Sequence, residues 1–66
     1  MSVARVLEVV GQSDKNFEEA VREAVRQVST KVPTIKCVDV VKWTADVSGG
    51  NLVNFRADCK ILYIEG

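Results

Sequence analysis

Histidine is absent from this 66-residue chain, so the side chains left to carry chemistry are chiefly its cysteines, carboxylates, lysines, arginines and its one tryptophan. Without an imidazole the available general bases are carboxylates and lysines, and the usual pairing of a thiol nucleophile with its base cannot be assembled. Cys37, if it shares a face with Arg56, would have its thiol pKa lowered and its reactivity raised. The burial tendency of free cysteine favours a quiet interface residue instead. Cys59 alternates with apolar neighbours, which makes it a small hydrophobe of the core. Asp39, Asp46 and Asp58 offer oxygen ligands for a hard cation, but such sites need several converging oxygens. Solvated or ion-paired carboxylates are therefore the plainer reading, although a rotation axis would gather one carboxylate from each subunit. Ser48-Gly49-Gly50-Asn51 has the look of a phosphate-cradling loop. Hairpin chemistry explains it better, since glycines at positive φ suit a tight turn and no helix N-terminus follows. Trp43 reads as a large core or interface filler rather than a stacking platform. No catalytic constellation emerges, and the chain is expected not to be an enzyme.

The elements that must position these residues follow from periodicity. Val3 to Val10 is mostly apolar and β-branched, with Gly11 as a breaker, and reads as a first strand with apolar groups on both faces. Ser13 is a plausible N-cap, and Asp14 complements the positive end of the helix that follows. Phe17, Ala20, Val21, Ala24, Val25 and Val28 recur at helical spacing, with Glu18, Glu19, Arg22, Glu23, Arg26 and Gln27 on the opposite side, where Glu18 and Glu19 with Arg22, and Glu23 with Arg26, make weakly stabilising pairs. Burying Phe17, Val21, Val25 and Val28 is expected to contribute roughly 1.5–3 kcal/mol each. Pro33 closes the helical region. Ile35–Val47 reads as a second strand whose apolar set shifts near Val40 and Val41, which predicts a bulge there. Leu52–Glu65 reads as a third strand, with Val53, Phe55, Ala57, Cys59, Ile61 and Tyr63 on the helix-facing side and Asn54, Arg56, Asp58 and Lys60 on the other. The predicted fold class is α+β: a single domain over 1–66, ordered β-α-β-β, with a three-stranded antiparallel sheet wrapped around one helix.

Size and charge narrow the partners. A chain this short is marginal unless stapled or oligomeric, and two cysteines with no histidine and no Cys-x-x-Cys spacing offer at most one staple. One helix cannot cover such a sheet, so several copies are expected to assemble, with any ligand site between them. Nine basic and nine acidic side chains cancel, which removes the electrostatic footprint of nucleic-acid binding. The N-terminal residues show no secretory pattern and no apolar run approaches a membrane span. The expectation is a cytoplasmic protein with reduced thiols.

Val9-Val10-Gly11-Gln12-Ser13 ahead of an acidic amphipathic helix, then Ile35-Lys36-Cys37-Val38-Asp39-Val40-Val41, then Phe55-Arg56-Ala57 in a long last strand, resembles the dodecin family across nearly the whole chain. The resemblance implies a subunit of a hollow homo-oligomer of twelve copies. It also implies binding of riboflavin and related flavins (FMN, FAD) in pairs between subunits, for storage and protection, without turnover. In the flavin-binding members a tryptophan on strand two stacks on the ring and a glutamine on strand three bonds its polar edge. Those positions here are Cys37 and Arg56. Cysteine has no aromatic face, and arginine has five donors but no acceptor. Arginine is suited instead to stacking on a ring or holding an anion. Trp43 is set about 20 Å along an extended strand from Cys37, so it reaches the same ligand only across a symmetry axis. The residues that the resemblance places near the cofactor are Ile35, Lys36, Cys37, Arg56 and Trp43. The pattern is similar to the flavin-free or calcium dodecins, so flavin binding is expected to be weak or lost. The alternative is a structural oligomer that binds a divalent cation, with ligands the sequence does not identify.

Overall fold

A helix begins at Phe17 because Asn16 is extended (φ −166, ψ 173) and its side-chain Oδ1 accepts a hydrogen bond from Glu19 N at 2.8 Å. The expected cap at Ser13 does not hold. Ser13 instead closes the preceding strand, and its hydroxyl accepts from Lys15 N at 3.0 Å, which turns the chain toward the true cap. In the computed structural model, which describes residues 2–65, the order is β1 (Val3–Ser13), α1 (Phe17–Ser29), β2 (Ile35–Ser48) and β3 (Asn51–Glu65). Glu18 and Glu19 lie in the first turn of α1 and Arg26 in the last, in the sense that complements the helix dipole. Arg22 pairs with Glu18 and Glu19, and Arg26 with Glu23, as the spacing predicts. No helix among the described residues is long and apolar enough to cross a membrane.

The three strands form one antiparallel sheet in the order β1-β3-β2. Gly49 (φ 58) and Gly50 (φ 81) take the left-handed conformation that turns β2 into β3, confirming the hairpin reading. The predicted bulge is present, with Val40 opposite Cys59 and Lys42 opposite Asp58, so that Val41 is the extra residue. A second lies between Ile35 and Cys37. A third lies between Thr44 and Asp46, where the partner strand carries Asn54 at φ 50. Each bulge adds twist and bends the hairpin around α1.

Gly11 does not break β1, which continues to Ser13. A Cβ built on Gly11 would lie 1.9 Å from the Ala20 carbonyl oxygen and 2.9 Å from the Ala24 Cβ. The glycine is therefore where the helix backbone comes closest to the sheet. That approach decides which helical residues are deepest: Ala20, Ala24 and Val28 are buried against Ala57, Cys59 and Ile61. Val21 and Val25 pack around this core half-buried, as Phe17 is, rather than forming its centre as the sequence suggests. Phe17 instead meets Trp43 and Phe55 edge-on, with ring centroids 5.2 and 4.9 Å away.

The longest dimension of the chain is 52 Å, whereas a helix of 13 residues is only about 20 Å long. The helix starts in the aromatic cluster, at Phe17, and the tip of the hairpin projects beyond it. Val47 and Leu52, opposite each other there, are 70% and 56% exposed.

Candidate functional site

On the outer face of the sheet, turned away from α1, several polar side chains converge on a recess. Alternation places Arg56, Asp58 and Lys60 there from β3. Pairing then sets Thr44 and Gln12 beside Arg56, and Lys42 and Val10 beside Asp58. Val10, Lys42, Thr44, Arg56 and Asp58 line an open depression of about 260 Å³. Ligand pockets usually enclose ≈300–1,000 Å³, so this recess is on the scale of part of a site rather than a whole one.

Arg56 is held at the rim of the depression by the chain itself. Its Nη2 donates to Asp46 Oδ1 at 2.6 Å and its Nη1 to Asp46 Oδ2 at 3.3 Å, while Asn54 Nδ2 donates to the same Oδ2 at 3.0 Å. The left-handed Asn54 and the bulge opposite it bring these groups together. The hydrogen bond from Arg56, and then that from Asn54, hold the Asp46 carboxyl below its ordinary value; the same contact raises Arg56. The anion-binding capacity expected of Arg56 is thus met by Asp46.

Asp58 is in the opposite state. Its Oδ1 is buried and has no hydrogen-bond partner among the described residues. Lys42 stands directly across the ladder from it, yet among the described residues no carboxylate forms an ion pair with Lys42.

The structure does not bring the residues suggested by the sequence together. Cys37 is exposed on the outer face opposite Leu62, and the stretch of β3 from Leu62 back to Arg56 spans about 20 Å. Arg56 is therefore too far from Cys37 to activate its thiol within one chain. Ile35 packs against the core, and Lys36 is the exposed extra residue at the first bulge. Trp43 pairs with Ala57 on the helix side, half exposed against Phe17. Cys59 is buried, as expected, and burial, with the nearby Asp58 charge, pushes its thiol pKa up. Asp39 lies opposite Lys60, Asp58 opposite Lys42, and Asp46 against Arg56. Among the described residues no three ligating side chains gather as a metal site would require.

The fit to an isoalloxazine ring fails on this face. The aromatic residues of the chain are Phe17, Trp43, Phe55 and Tyr63. Phe17 is helical, and the other three share the register of the helix-facing residues Ala57, Cys59 and Ile61. No aromatic plane is presented where Arg56 and Cys37 point. Sequence reasoning missed Lys42, Thr44 and Val10 as lining residues beside Arg56 and Asp58, because the register between strands is not visible in one sequence.

A family model described as Dodecin matches residues 3–65. Among solved structures, dodecin from Streptomyces coelicolor superposes with a TM-score of 0.91 at 25% identity, covering 98% of this chain and 93% of that one. An arginine-to-alanine mutant of Thermus thermophilus dodecin gives 0.94 at 14% identity, covering 100% of this chain and 98% of the other. The calcium dodecin of Mycobacterium tuberculosis, described as a calcium-chelating antigen with a novel calcium-binding site, gives 0.81 at 23% identity, covering 92% and 87%. No curated protein sequence matches.

Proposed function

The chain belongs to the dodecin family, and from that premise we propose that it is the subunit of a non-enzymatic, hollow homo-oligomer of twelve copies. This shell binds small molecules between subunits in the cytoplasm, with affinity for riboflavin, FMN and FAD weak or lost. The observation that carries this reading is the outer sheet face. It is left uncovered by α1, it exposes Val6 and Val10 at 55% and 60%, and it combines a partial recess with the absence of any aromatic ring. Exposed apolar area beside a polar recess is what a subunit contact would hide. The missing ring removes the stacking contribution of roughly 0.5–1.5 kcal/mol beyond area burial, and Arg56 is already paired with Asp46.

Native mass spectrometry of protein taken from cells, joined to a riboflavin titration followed by fluorescence, tests the reading. Multiple copies with little or no quenching at micromolar ligand are expected. A compact, well-folded monomer in dilute solution overturns the shell, and strong quenching overturns the loss of flavin. A structural oligomer holding a divalent cation is the second reading, supported by the calcium-binding relative and by the unpartnered Asp58 oxygen. It is the weaker one, because Asp46 is occupied by Arg56 and the aspartates are dispersed. Thermal melts with and without chelator separate the two, since a cation bound only by the native assembly raises its stability.

A further inference from the structure

We propose that Asp46 sets the charge preference for ligands at Arg56: by occupying that guanidinium within the same chain it turns away anionic small molecules and leaves the surface around it to uncharged ones. The inference rests on the small-molecule reading above and narrows the class of ligand. A guanidinium takes a phosphate or a carboxylate on a planar edge of N–H groups. Here the edge formed by the two terminal nitrogens is already filled. Nη2 and Nη1 of Arg56 donate to the two Asp46 oxygens at 2.6 and 3.3 Å, and Nη1 also donates to the Asn54 carbonyl oxygen at 3.4 Å. Asn54 Nδ2 donates to Asp46 Oδ2 at 3.0 Å, so the carboxylate is itself held.

Charge and entropy act in the same direction. Lys42, Arg56 and Asp58 line the depression, and with Asp46 bound to Arg56 two cations stand against two carboxylates. Lys42 faces Asp58 across the ladder, so its charge is offset there. Removing the Asp46 charge leaves one cation in excess. An anion arriving from solution has to displace a carboxylate that belongs to the chain, and it gives up its own translational freedom on binding. Asp46, tethered to the same hairpin, has none to lose. An uncharged ligand meets no such competition, because the Thr44 hydroxyl, directly across from Arg56, still donates and accepts hydrogen bonds.

Calorimetric titration of the full chain with inorganic phosphate at low salt tests this directly. Wild type is compared with D46A, which frees the guanidinium, with D46N, which removes the charge but keeps the shape, and with D46A/R56Q, which removes the freed cation as well. D46A is expected to bind phosphate at least about tenfold more tightly than wild type, through charge-assisted hydrogen bonds from Arg56. D46N is expected to move in the same direction, and it carries the test if circular dichroism shows that D46A does not fold. The double variant is expected to return to the wild-type affinity. If wild type binds phosphate as tightly as D46A and D46N do, or the double variant keeps the gain, the role of Asp46 is overturned while the shell stands. An anionic small molecule found on wild type taken from cells, and lost from R56Q, overturns it equally. If wild type is monomeric and retains no small molecule, the binding reading falls, and the phosphate comparison still decides what Asp46 does.

Discussion

Arg56 grips Asp46 across the β2–β3 hairpin with two prongs, at 2.6 Å and 3.3 Å, and Asn54 donates to the same carboxylate at 3.0 Å. The pairing consumes the guanidinium that the sequence leaves free for a ring or an anion. It also ties the left-handed bulge of β3 to β2, just where the hairpin leaves the cover of the helix.

That contact sets an acid dependence. Asp46 is held below its ordinary 3.8 by Arg56 first and Asn54 second. A folded-state value below the unfolded one means that the contribution to stability is complete above 3.8 and is lost as the pH falls through the lowered folded value. Arg56 is raised by the same bond, so its contribution stands throughout the range below its ordinary value and does not limit the clamp near neutrality. Thermal melts of wild type and Asp46→Asn between about pH 7 and about pH 2 are expected to show a lower Tm for the variant at neutral pH. The gap should close toward the acid end; a gap that ignores pH would show that the carboxylate's charge is not what matters.

Gly11→Ala is expected to destabilise the chain by about 1–3 kcal/mol through overpacking. The new methyl meets the Ala20 carbonyl and the Ala24 Cβ, so helix backbone has to retreat. Urea unfolding followed by circular dichroism should show a lower midpoint at unchanged slope. A wild-type midpoint would mean that α1 lies farther from β1 than described.

The helix start is checked by a pair of substitutions. Asn16→Ala should cost about 0.5–2 kcal/mol, the usual loss for an N-cap, because Glu19 N loses its acceptor. Ser13→Ala should cost clearly less, since it removes only the bond from Lys15 N. The reverse ranking in denaturant melts would return the cap to Ser13.

Cys37→Trp combined with Arg56→Gln should quench riboflavin fluorescence more strongly than wild type. The tryptophan puts a ring on a face that has none, and the glutamine offers both a donor and an acceptor. Within one chain the two positions are about 20 Å apart, so the gain is expected only in assembled protein. A correctly assembled double variant without quenching would detach any flavin site from this face.

The fold was largely legible because its signals are local. Helical spacing from Phe17 to Val28, strict alternation from Val53 to Tyr63, the glycine pair at the hairpin and the apolar shift at Val41 each depend on neighbours within a turn or a pleat, and each appears where expected. Gly11 and Ser13 misled for the same reason: judged locally they are a breaker and a cap. A helix pressed against β1 requires the glycine, and strand pairing out to Ser13 moves the cap to Asn16.

By itself the sequence determined the β-α-β-β order and the burial of Cys59. Those properties are written in side-chain type and spacing along the chain. Only the tertiary structure decided that Arg56 is bound by Asp46, that Cys37 and Arg56 stand far apart, and that Asp58 and Lys42 share a recess without satisfying each other. These are relations between strands, fixed by register and by bulges that each shift the pairing by one residue, and no single strand's sequence encodes its partner's offset.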